Sequence, residues 1–469
     1  MAKQKNVSVQ KRLRSVPAVQ RLLEEPVLRE AQARLGREAI VAAAREVLAE
    51  TRRALLQDPA DGNGEGLVGE LAQRIAMRAG KRSAGGVRRA INATGVILHT
   101  GLGRAVLPAA VIQELAAELS GYASVELDVE TGERGQRDAP AADLLKTLLG
   151  CEAATVVNNN AAATLLALAA LAKGREVIVS RGQLVEIGGG FRVPEVLAES
   201  GARMVEVGCT NRTHLRDYED AIRPETGMLL IVHPSNFRIL GFTAEPSVAE
   251  LANLGRRRGI PVVHDIGSGA LFPGLAAELR AEPTVKESLD AGVALVTFSA
   301  DKILGGPQAG IAVGKAEQVQ RLRRHPLYRA FRLDKLVLRA LETTLALYLD
   351  PERRAETIPT LRMLRRPLEE IAAQAERIAH RARTESTLVA EVASDSSRLG
   401  SGSLPERDIP TCVVALRHAT LSASELAARL RAQETPIVAR IQDGCVLIDP
   451  RTLQADEEEE LIRALSSIR

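Results

Sequence analysis

Short apolar segments alternate with amphipathic segments through the middle of this chain. Between about residue 90 and residue 314, the apolar segments are three to five residues long and rich in Val, Ile and Leu, which is typical of buried strands. They predict strands at Ala154–Val157, Glu176–Val179, Met204–Val207, Met228–Val232, Val262–His264, Leu295–Phe298 and Gly310–Val313. Helical spacing lies between them, at Ala161–Lys173, Pro194–Ser200 and Ser247–Arg258. The alternation predicts an α/β fold, with a mainly parallel sheet covered on both faces and ligands at the carboxyl ends of its strands.

The two ends of the chain have different patterns. Apolar residues recur at helical spacing from Val27 to Leu56, and the turn-rich stretch Asp58–Gly66 follows as a predicted hinge. A long helical stretch, roughly Leu333–Leu349, ends at Asp350–Pro351. Beyond it we expect a long helix and a small α/β unit, with the helix near Arg365–Arg383 and strands at Thr411–Leu416, Ile437–Arg440 and Cys445–Ile448.

These patterns predict three domains. The first is a helical domain with its hinge, residues 1–66. The second is a catalytic core with an N-terminal linker, residues 67–349, and the third is a small C-terminal α/β domain, residues 350–469. A chain of 469 residues with 45% hydrophobic residues is long and apolar enough for one large domain with smaller attachments.

Composition narrows the classes of protein. The chain has no Trp, four Tyr and six Phe, so we do not expect a protein that stacks many bases on aromatic side chains. Its four cysteines are far apart and form no CxxC pair, so neither a metal site nor a disulfide framework is predicted. The first residues contain no apolar run, and the longest useful one, Ala161–Ala172, is too short to span a bilayer. We expect a reduced, cytoplasmic protein without a membrane segment.

Positive charge is concentrated near the N-terminus. The net charge is +3, but residues 1–90 hold 18 Lys or Arg against 10 Asp or Glu. A basic segment attached to a mildly acidic body suggests contact with a polyanion. A solvated helix face would carry similar charges, so this feature alone leaves both interpretations open.

The segment around Lys302 has the pattern of a lysine that holds a cofactor. An apolar strand ends at Ser299-Ala-Asp-Lys302, and Gly305 and Gly306 follow. A lysine that forms an imine must project from a rigid strand end into a pocket, with small residues that leave room for the cofactor. None of the other nine lysines has this setting. Taken alone, however, Lys302 could be a surface lysine after a strand.

Two further groups stand at strand ends upstream of Lys302. Asp265, 37 residues earlier, could contact the pyridine nitrogen of pyridoxal 5′-phosphate (PLP), although it could also cap a loop. The turn Asn158–Ala163 leads from a strand into a helix, so its N–H groups at Asn159, Asn160 and Ala161 suit a phosphate, or its asparagines are helix caps. Ser299 fits a further phosphate ligand. The order of phosphate turn, pyridine acid and lysine predicts a PLP enzyme.

At these residues the sequence resembles the bacterial selenocysteine synthases, the L-seryl-tRNA(Sec) selenium transferases. The likeness extends over most of the chain. It rests on INATGVILHT from Ile91, VNNNAAA from Val157, HPSN from His233, DIGSG from Asp265, FSADKILGGPQAG from Phe298 and HPLYRAFRLDK from His325. Two small departures are Gly101, where the family is expected to have Asn, and Ala300, where it is expected to have Gly.

The resemblance implies a fold and a reaction. The fold would be that of the fold-type-I PLP transferases, which are similar to aspartate aminotransferase. The reaction would convert L-seryl-tRNA(Sec) to L-selenocysteinyl-tRNA(Sec) with selenophosphate, through a PLP-bound aminoacrylyl intermediate. It also implies a homodecamer built from dimers and an N-terminal domain that binds tRNA(Sec).

The same resemblance assigns roles to individual residues. It implies that Lys302 acts as the base, that the adjacent Asp301 tunes its protonation, and that Ser268 joins the cofactor ligands. Arg104, Arg329 and Arg332 would bind selenophosphate, and planar arginines suit a phosphate-like anion. Residues 321–340 carry seven basic side chains and one acidic one, which a solvated helix would also explain.

Two other functions are compatible with the same core. A PLP lyase or transferase that acts on a free small amino acid would share Lys302 and Asp265, but it would not need the basic N-terminal helices or the arginine-rich segment. A tRNA-binding protein that has lost catalysis would not need the intact lysine, acid and asparagine turn. The sequence therefore favours the selenium transferase.

Overall fold

The computed structural model describes residues 16–57, 67–83, 86–187, 190–401 and 408–468. Contacts divide the chain into two compact units, Met1–Arg89 and Ala90–Arg469. The helices are Val19–Leu22, Pro26–Leu35, Arg37–Gln57, Leu67–Ser83, Ala109–Glu118, Ala139–Leu149, Asn160–Ala172, Val193–Glu199, Leu215–Ala221, Val248–Arg258, Val285–Asp290, Ala316–Arg324, Pro326–Ala330, Lys335–Leu347, Arg354–Thr357, Pro359–Arg365, Leu368–Glu385, Ala423–Arg431 and Glu457–Ser466. Among the described residues, no helix combines the length and the apolar character needed to cross a membrane.

The strands are β1 (Ile91–Asn92), β2 (Ala153–Val157), β3 (Glu176–Ser180), β4 (Glu186–Ile187), β5 (Phe191–Arg192), β6 (Arg203–Val207), β7 (Thr226–Val232), β8 (Val262–Ile266), β9 (Leu295–Ser299), β10 (Gly310–Gly314), β11 (Val389–Ser397), β12 (Ile409–Arg417), β13 (Ile437–Val438), β14 (Arg440–Gln442) and β15 (Cys445–Ile448). All seven strands predicted for the central region are present. Each observed boundary lies within two residues of the predicted one.

The N-terminal unit is a small helical cluster. The single helix predicted from Val27 to Leu56 is wrong, because the chain breaks at Gly36, whose φ of +83° is a backbone conformation that favours glycine. The helices on either side of that break both pack against Leu67–Ser83, so this third helix belongs to the N-terminal unit. The sequence pattern instead places Leu67–Ser83 in the N-terminal linker of the catalytic core. The hinge predicted at 58–66 lies outside the described residues.

The central sheet has seven strands in the order β2-β10-β9-β8-β7-β3-β6. Strand β10 is antiparallel to both of its neighbours, and the other pairs are parallel. The sheet is therefore mainly parallel, as predicted. Strands β8 and β9 are adjacent, so the residues at their carboxyl ends meet at one edge.

Both faces of this sheet are buried. Along β7, Leu229 and Ile231 lie in one apolar cluster, whereas Met228 and Leu230 lie in another on the opposite face. Side chains alternate between the faces of a strand, so a continuous apolar run requires cover on both sides. The structure thus confirms the doubly covered sheet.

The C-terminal region forms an antiparallel sheet in the order β11-β12-β15-β14. Strand β11 is missing from the sequence prediction, because it is an edge strand that carries polar residues such as Ser394 and Asp395. The strand predicted at Ile437–Arg440 is divided into β13 and β14. Strand β13 pairs in parallel with β1. This pairing joins the start of the second unit, Ala90–Arg469, to its C-terminal region.

Candidate active site

Lys302 lies in a tight loop between β9 and β10. The loop is closed by backbone bonds from Ala300 N–H to the Ala309 carbonyl and from Gly306 N–H to the Ala300 carbonyl, each 2.9 Å. It is joined to the segment after β8 by a 3.1 Å bond from Ile303 N–H to the Ser268 carbonyl. Only 6% of Lys302 is exposed. The sequence correctly predicted a lysine held on a rigid strand end and facing inward.

Asp265 is buried near the end of the neighbouring strand, β8, in register with Thr297 of β9. Its Oδ1 accepts hydrogen bonds from Asn160 Nδ2 at 2.7 Å and from Thr297 Oγ1 at 3.3 Å, and its Oδ2 accepts one from Thr164 Oγ1 at 3.2 Å. Burial raises the pKa of this carboxyl group, against the effects of these donors and of the nearby Lys302. The structure therefore brings the acid, the lysine and the asparagine turn together.

The asparagine turn leads into the helix Asn160–Ala172, and the start of this helix lies close to the first residue of β10. Asn159 is the helix N-cap, and its Oδ1 accepts from Ala162 N–H at 2.8 Å, so it has the capping role considered above. Ala161 is exposed in the first turn of this helix. The turn passes so close to Gly310 that a Cβ there would lie 2.0 Å from the Asn159 carbonyl oxygen. Glycine is thus required at 310 to place the helix N-terminus beside Asp265.

Several buried polar atoms beside Lys302 have no hydrogen-bond partner among the described residues. They include Ser268 Oγ and Ser235 Oγ. A Cβ placed on Gly267 would lie 3.4 Å from Ser235 Oγ and 3.8 Å from Lys302 Nζ, so the serine and the lysine line the same small space. Ser299 is also buried, with 8% exposed, at the end of β9. Unpaired buried polar groups are rare in proteins, and here they indicate a ligand site.

Arg104 reaches this site from a distant part of the chain. Its φ is +66°, and its Nη1 lies 2.5 Å from Asp301 Oδ2. Burial lowers the pKa of Lys302, and Arg104 lowers it further, whereas Asp301 and Asp265 act in the opposite direction. A lowered pKa increases the fraction of neutral amine at neutral pH, which is the form that attacks an imine or accepts a proton.

The other two predicted donor ligands, Arg329 and Arg332, lie in a different cleft. They line it together with Tyr122, Glu126 and Arg137, and both arginines are exposed. Neither guanidinium has an ion-pair partner in the part of the chain that the structure describes.

This arginine cleft is connected to the asparagine turn by a hydrogen bond. The Asn158 N–H donates to the carbonyl of Phe331, which lies between the two arginines, at 2.9 Å. Within this single chain, Arg104 is thus beside Lys302, and the other two arginines are beside the predicted phosphate turn.

Two residues of the site had no role in the sequence prediction. Glu282 is buried and His233 is partly buried near Lys302, with 3.7 Å between His233 Nδ1 and Glu282 Oε1. Burial lowers the pKa of His233 to about 4, and the charge of Lys302 lowers it further. Burial raises the pKa of Glu282. His233 follows a predicted strand and could have been suspected, but Glu282 lies in a coil with no distinguishing pattern.

The two departures from the family pattern are accommodated. Ala300 is fully buried, and its backbone closes the lysine loop, so its methyl group fits the core. A Cβ at Gly101 would lie 3.3 Å from His99 Cε1, so a larger residue there would contact that ring. Neither departure changes a residue predicted to be catalytic.

Family models match both units of the chain. Residues 90–454 match the family described as L-seryl-tRNA selenium transferase. Residues 13–52 match the family described as selenocysteine synthase N terminal. The matches together cover the candidate site residues and most of the N-terminal helices.

Individual proteins agree with the family models. The chain is 54% identical to an L-seryl-tRNA(Sec) selenium transferase of Solidesulfovibrio magneticus, over 80% of each chain. It is 46% identical to the protein of the same name from Geobacter sulfurreducens, over 97% of this chain and 98% of that protein. Among solved structures, D-glucosaminate-6-phosphate ammonia-lyase covers 81% of this chain and 95% of its own at a TM-score of 0.56 and 20% identity, which shows a shared fold.

Proposed function

Since the chain belongs to the L-seryl-tRNA selenium transferase family, we propose that it converts L-seryl-tRNA(Sec) to L-selenocysteinyl-tRNA(Sec). It is a PLP-dependent transferase. The observation that carries this function is the buried Lys302, one strand away from the buried Asp265 and in the same region as serine hydroxyls that have no partner among the described residues.

The residues present fit PLP. Lys302 would hold its aldehyde carbon, and Asp265 would contact its pyridine nitrogen. Burial raises the pKa of Asp265, and a protonated ring nitrogen would offset that effect. The phosphate would lie at Asn159, Asn160 and Ala161, where a helix N-terminus offers free N–H groups.

The two serines support the same assignment. Ser268 and Ser299 are buried beside the lysine loop, and Ser268 Oγ has no partner among the described residues, so each can donate a hydrogen bond to the cofactor. When bound, PLP withdraws electrons from the α-carbon of the substrate, so that the α-proton and then a Cβ substituent can leave.

Lys302 is the proposed base. Its amine is buried, and its lowered pKa favours the neutral form that accepts the α-proton of the seryl group. Asp301 is paired with Arg104, and the pair holds one negative and one positive charge next to the amine. Changing either partner would therefore change the protonation of Lys302, which is the tuning role proposed for Asp301.

The selenium donor is proposed to be selenophosphate, bound by Arg104, Arg329 and Arg332. The charge-assisted hydrogen bonds of arginine suit a tetrahedral anion. The free guanidinium groups in the arginine cleft support this role, because no acidic partner among the described residues neutralises them. Arg104 would have to exchange its contact with Asp301 for the donor.

The N-terminal unit is proposed to bind tRNA(Sec). Residues 1–57 carry 12 Lys or Arg and six Glu, and a basic helical surface can contact the phosphates of an RNA. We further propose a cytoplasmic homodecamer built from dimers. An enzyme acting on a free amino acid is not favoured, because the N-terminal helices match the selenocysteine synthase family as well.

Reduction with borohydride tests the cofactor site. The purified protein should be yellow, and borohydride should fix a pyridoxyl group on Lys302, found by peptide mapping. Lys302→Ala should lose both the colour and turnover while its far-UV circular dichroism stays unchanged. Label on another lysine would contradict the assignment. Turnover of seryl-tRNA(Sec) with selenophosphate, compared with turnover of free serine, tests the substrate.

A further inference from the structure

A cavity opens at the carboxyl ends of β3, β7 and β8, and Lys302 does not line it. Gln183 follows β3 on its wall, His233 follows β7, and the loops at 210–213 and 237–248 supply most of its rim. In open α/β sheets this edge is where substrates bind.

The cavity adjoins the Lys302 site. The His233 N–H donates to the carbonyl of Asp265 at 3.0 Å, which places the cavity wall against the strand that carries the predicted pyridine ligand. The side chain of Glu282 is only 4% exposed and forms the same wall. His233 Nδ1 and Glu282 Oε1 face each other at 3.7 Å, beyond hydrogen-bond distance, and neither has another hydrogen-bond partner among the described residues. These buried polar atoms therefore leave hydrogen-bonding capacity in the wall that a ligand could use.

The rim of the cavity has the chemistry of a nucleotide site. Arg212 and Arg238 are exposed at its mouth, and neither has an ion-pair partner in the described ranges. Phe237 is half-buried beside them, and the hydroxyl groups of Thr210 and Thr243 complete the rim. Cationic side chains hold phosphates, an aromatic ring stacks on a base, and hydroxyl groups bond to base edges or ribose.

We propose that this cavity binds the 3′-terminal nucleotide of the aminoacylated RNA, with Phe237 against the base and Arg212 and Arg238 at the backbone phosphates. The inference rests on the proposed function. In that substrate the serine is an ester of the terminal ribose, so the terminal nucleoside must lie within one ester linkage of the site at which the serine reacts. The cavity meets this requirement, since its wall of His233 and Glu282 borders the site.

A second cavity near the asparagine turn is less suitable. It contains Phe191 and Phe331, but its arginine, Arg192, is paired with Glu186 and Glu195. Glu195 and Glu199 both line it, so among the described residues it offers no unpaired cation beside these two carboxylates. The first cavity is also lined by two carboxylates, those of Glu245 and Glu282, but Arg212 and Arg238 at its rim have no ion-pair partner among the described residues, so it is the better phosphate site.

The test compares two RNAs on the full-length PLP-loaded protein. One is uncharged tRNA(Sec) with its complete 3′ end, and the other lacks the terminal adenosine nucleotide. The wild type should bind the complete RNA roughly tenfold or more tightly, because one base stack is lost with that nucleotide. Arg212→Gln combined with Arg238→Gln, and separately Phe237→Leu, should reduce this preference to near unity. Arg216→Gln is the matched control, since Arg216 is exposed outside the cavity.

Either of two results would overturn the proposal. The first is a preference for the complete RNA that persists in both cavity variants. The second is a wild type that binds the two RNAs equally. The absorbance of bound PLP shows whether each variant is folded. If the double arginine variant is not folded, the Phe237→Leu variant alone tests the proposal. Turnover of seryl-tRNA(Sec) is measured separately. If the wild type fails to turn it over but retains the 3′-end preference, the proposed function is wrong and the cavity assignment remains.

Discussion

Gly310→Ala should displace the proposed phosphate turn without replacing any predicted cofactor ligand. The added Cβ would lie 2.0 Å from the Asn159 carbonyl oxygen and 2.8 Å from Asn160 N. Favourable contacts lie near 3.5 Å, so the turn must move by about 1 Å or more. Because both obstructing atoms belong to the backbone, no side-chain rotation relieves the clash.

The size of the effect follows from what the turn holds. Moving it weakens the 2.7 Å bond from Asn160 to Asp265 and the 2.8 Å cap from Asn159 to Ala162 N–H. Overpacking costs about 1–3 kcal/mol, and each of these hydrogen bonds contributes about 1 kcal/mol. We expect the free energy of unfolding to fall by about 2–4 kcal/mol and PLP affinity to fall by roughly tenfold to a hundredfold, since about 1.4 kcal/mol corresponds to tenfold.

Titration of the PLP-free protein with PLP, followed by absorbance, gives the affinity, and urea unfolding gives the stability. Gly121→Ala is the matched control, because a Cβ there meets no atom within 4 Å and its φ is unstrained. If Gly310→Ala binds PLP as tightly as Gly121→Ala does, then the turn does not hold the phosphate. Reduced stability with unchanged affinity would have the same meaning.

Three further predictions concern the donor, the RNA and pH. Arg329→Gln or Arg332→Gln should raise KM for selenophosphate by roughly tenfold or more, since a charge-assisted contact contributes about 1.5–3 kcal/mol. Elimination from the seryl group should continue in both variants. Equal loss of elimination and of selenium incorporation would contradict the donor role. A chain starting at Ala90 should still bind PLP but lose the salt-dependent binding of tRNA(Sec) seen with the full chain, and unchanged affinity in a salt titration would refute the role of the N-terminal unit. His264 is fully buried, and burial lowers its pKa to about 3, below the ordinary 6.5, so the unfolded state takes up its proton first. The contribution of neutral His264 to the free energy of unfolding is therefore fully present above pH 6.5 and is lost as the pH falls towards 3. His264→Gln should flatten this pH dependence when urea unfolding is measured at several pH values.

The sequence predicted the central strands because both faces of the sheet are buried. A strand such as β7 must then be apolar at every position, and a continuous run of Met, Leu, Ile and Val is distinct from its surroundings. The edge strand β11 has no such requirement, so it carries polar residues and was missed. The break at Gly36 was missed because apolar spacing continues across it, although the backbone does not.

The candidate residues that the structure brings close together are those that carry a local signal in the sequence. Lys302, Asp265 and the asparagine turn each follow a recognisable strand, and in α/β folds strand ends meet at one edge. Glu282 has no such signal, because its coil approaches Lys302 only after the surrounding loops pack. The roles of Asp301, Arg104, Arg329 and Arg332 remain proposals.

By itself, the sequence determined the central strands and pointed to candidate residues for the chemistry, because burial and strand-end position are recorded in local patterns of side chains. Only the tertiary structure decided the order of the strands, the pairing of Arg104 with an aspartate 197 positions away, and the close approach of Gly310 to the asparagine turn. These contacts join residues that are far apart in the chain. Their free energy depends on how whole elements pack, which no local pattern specifies.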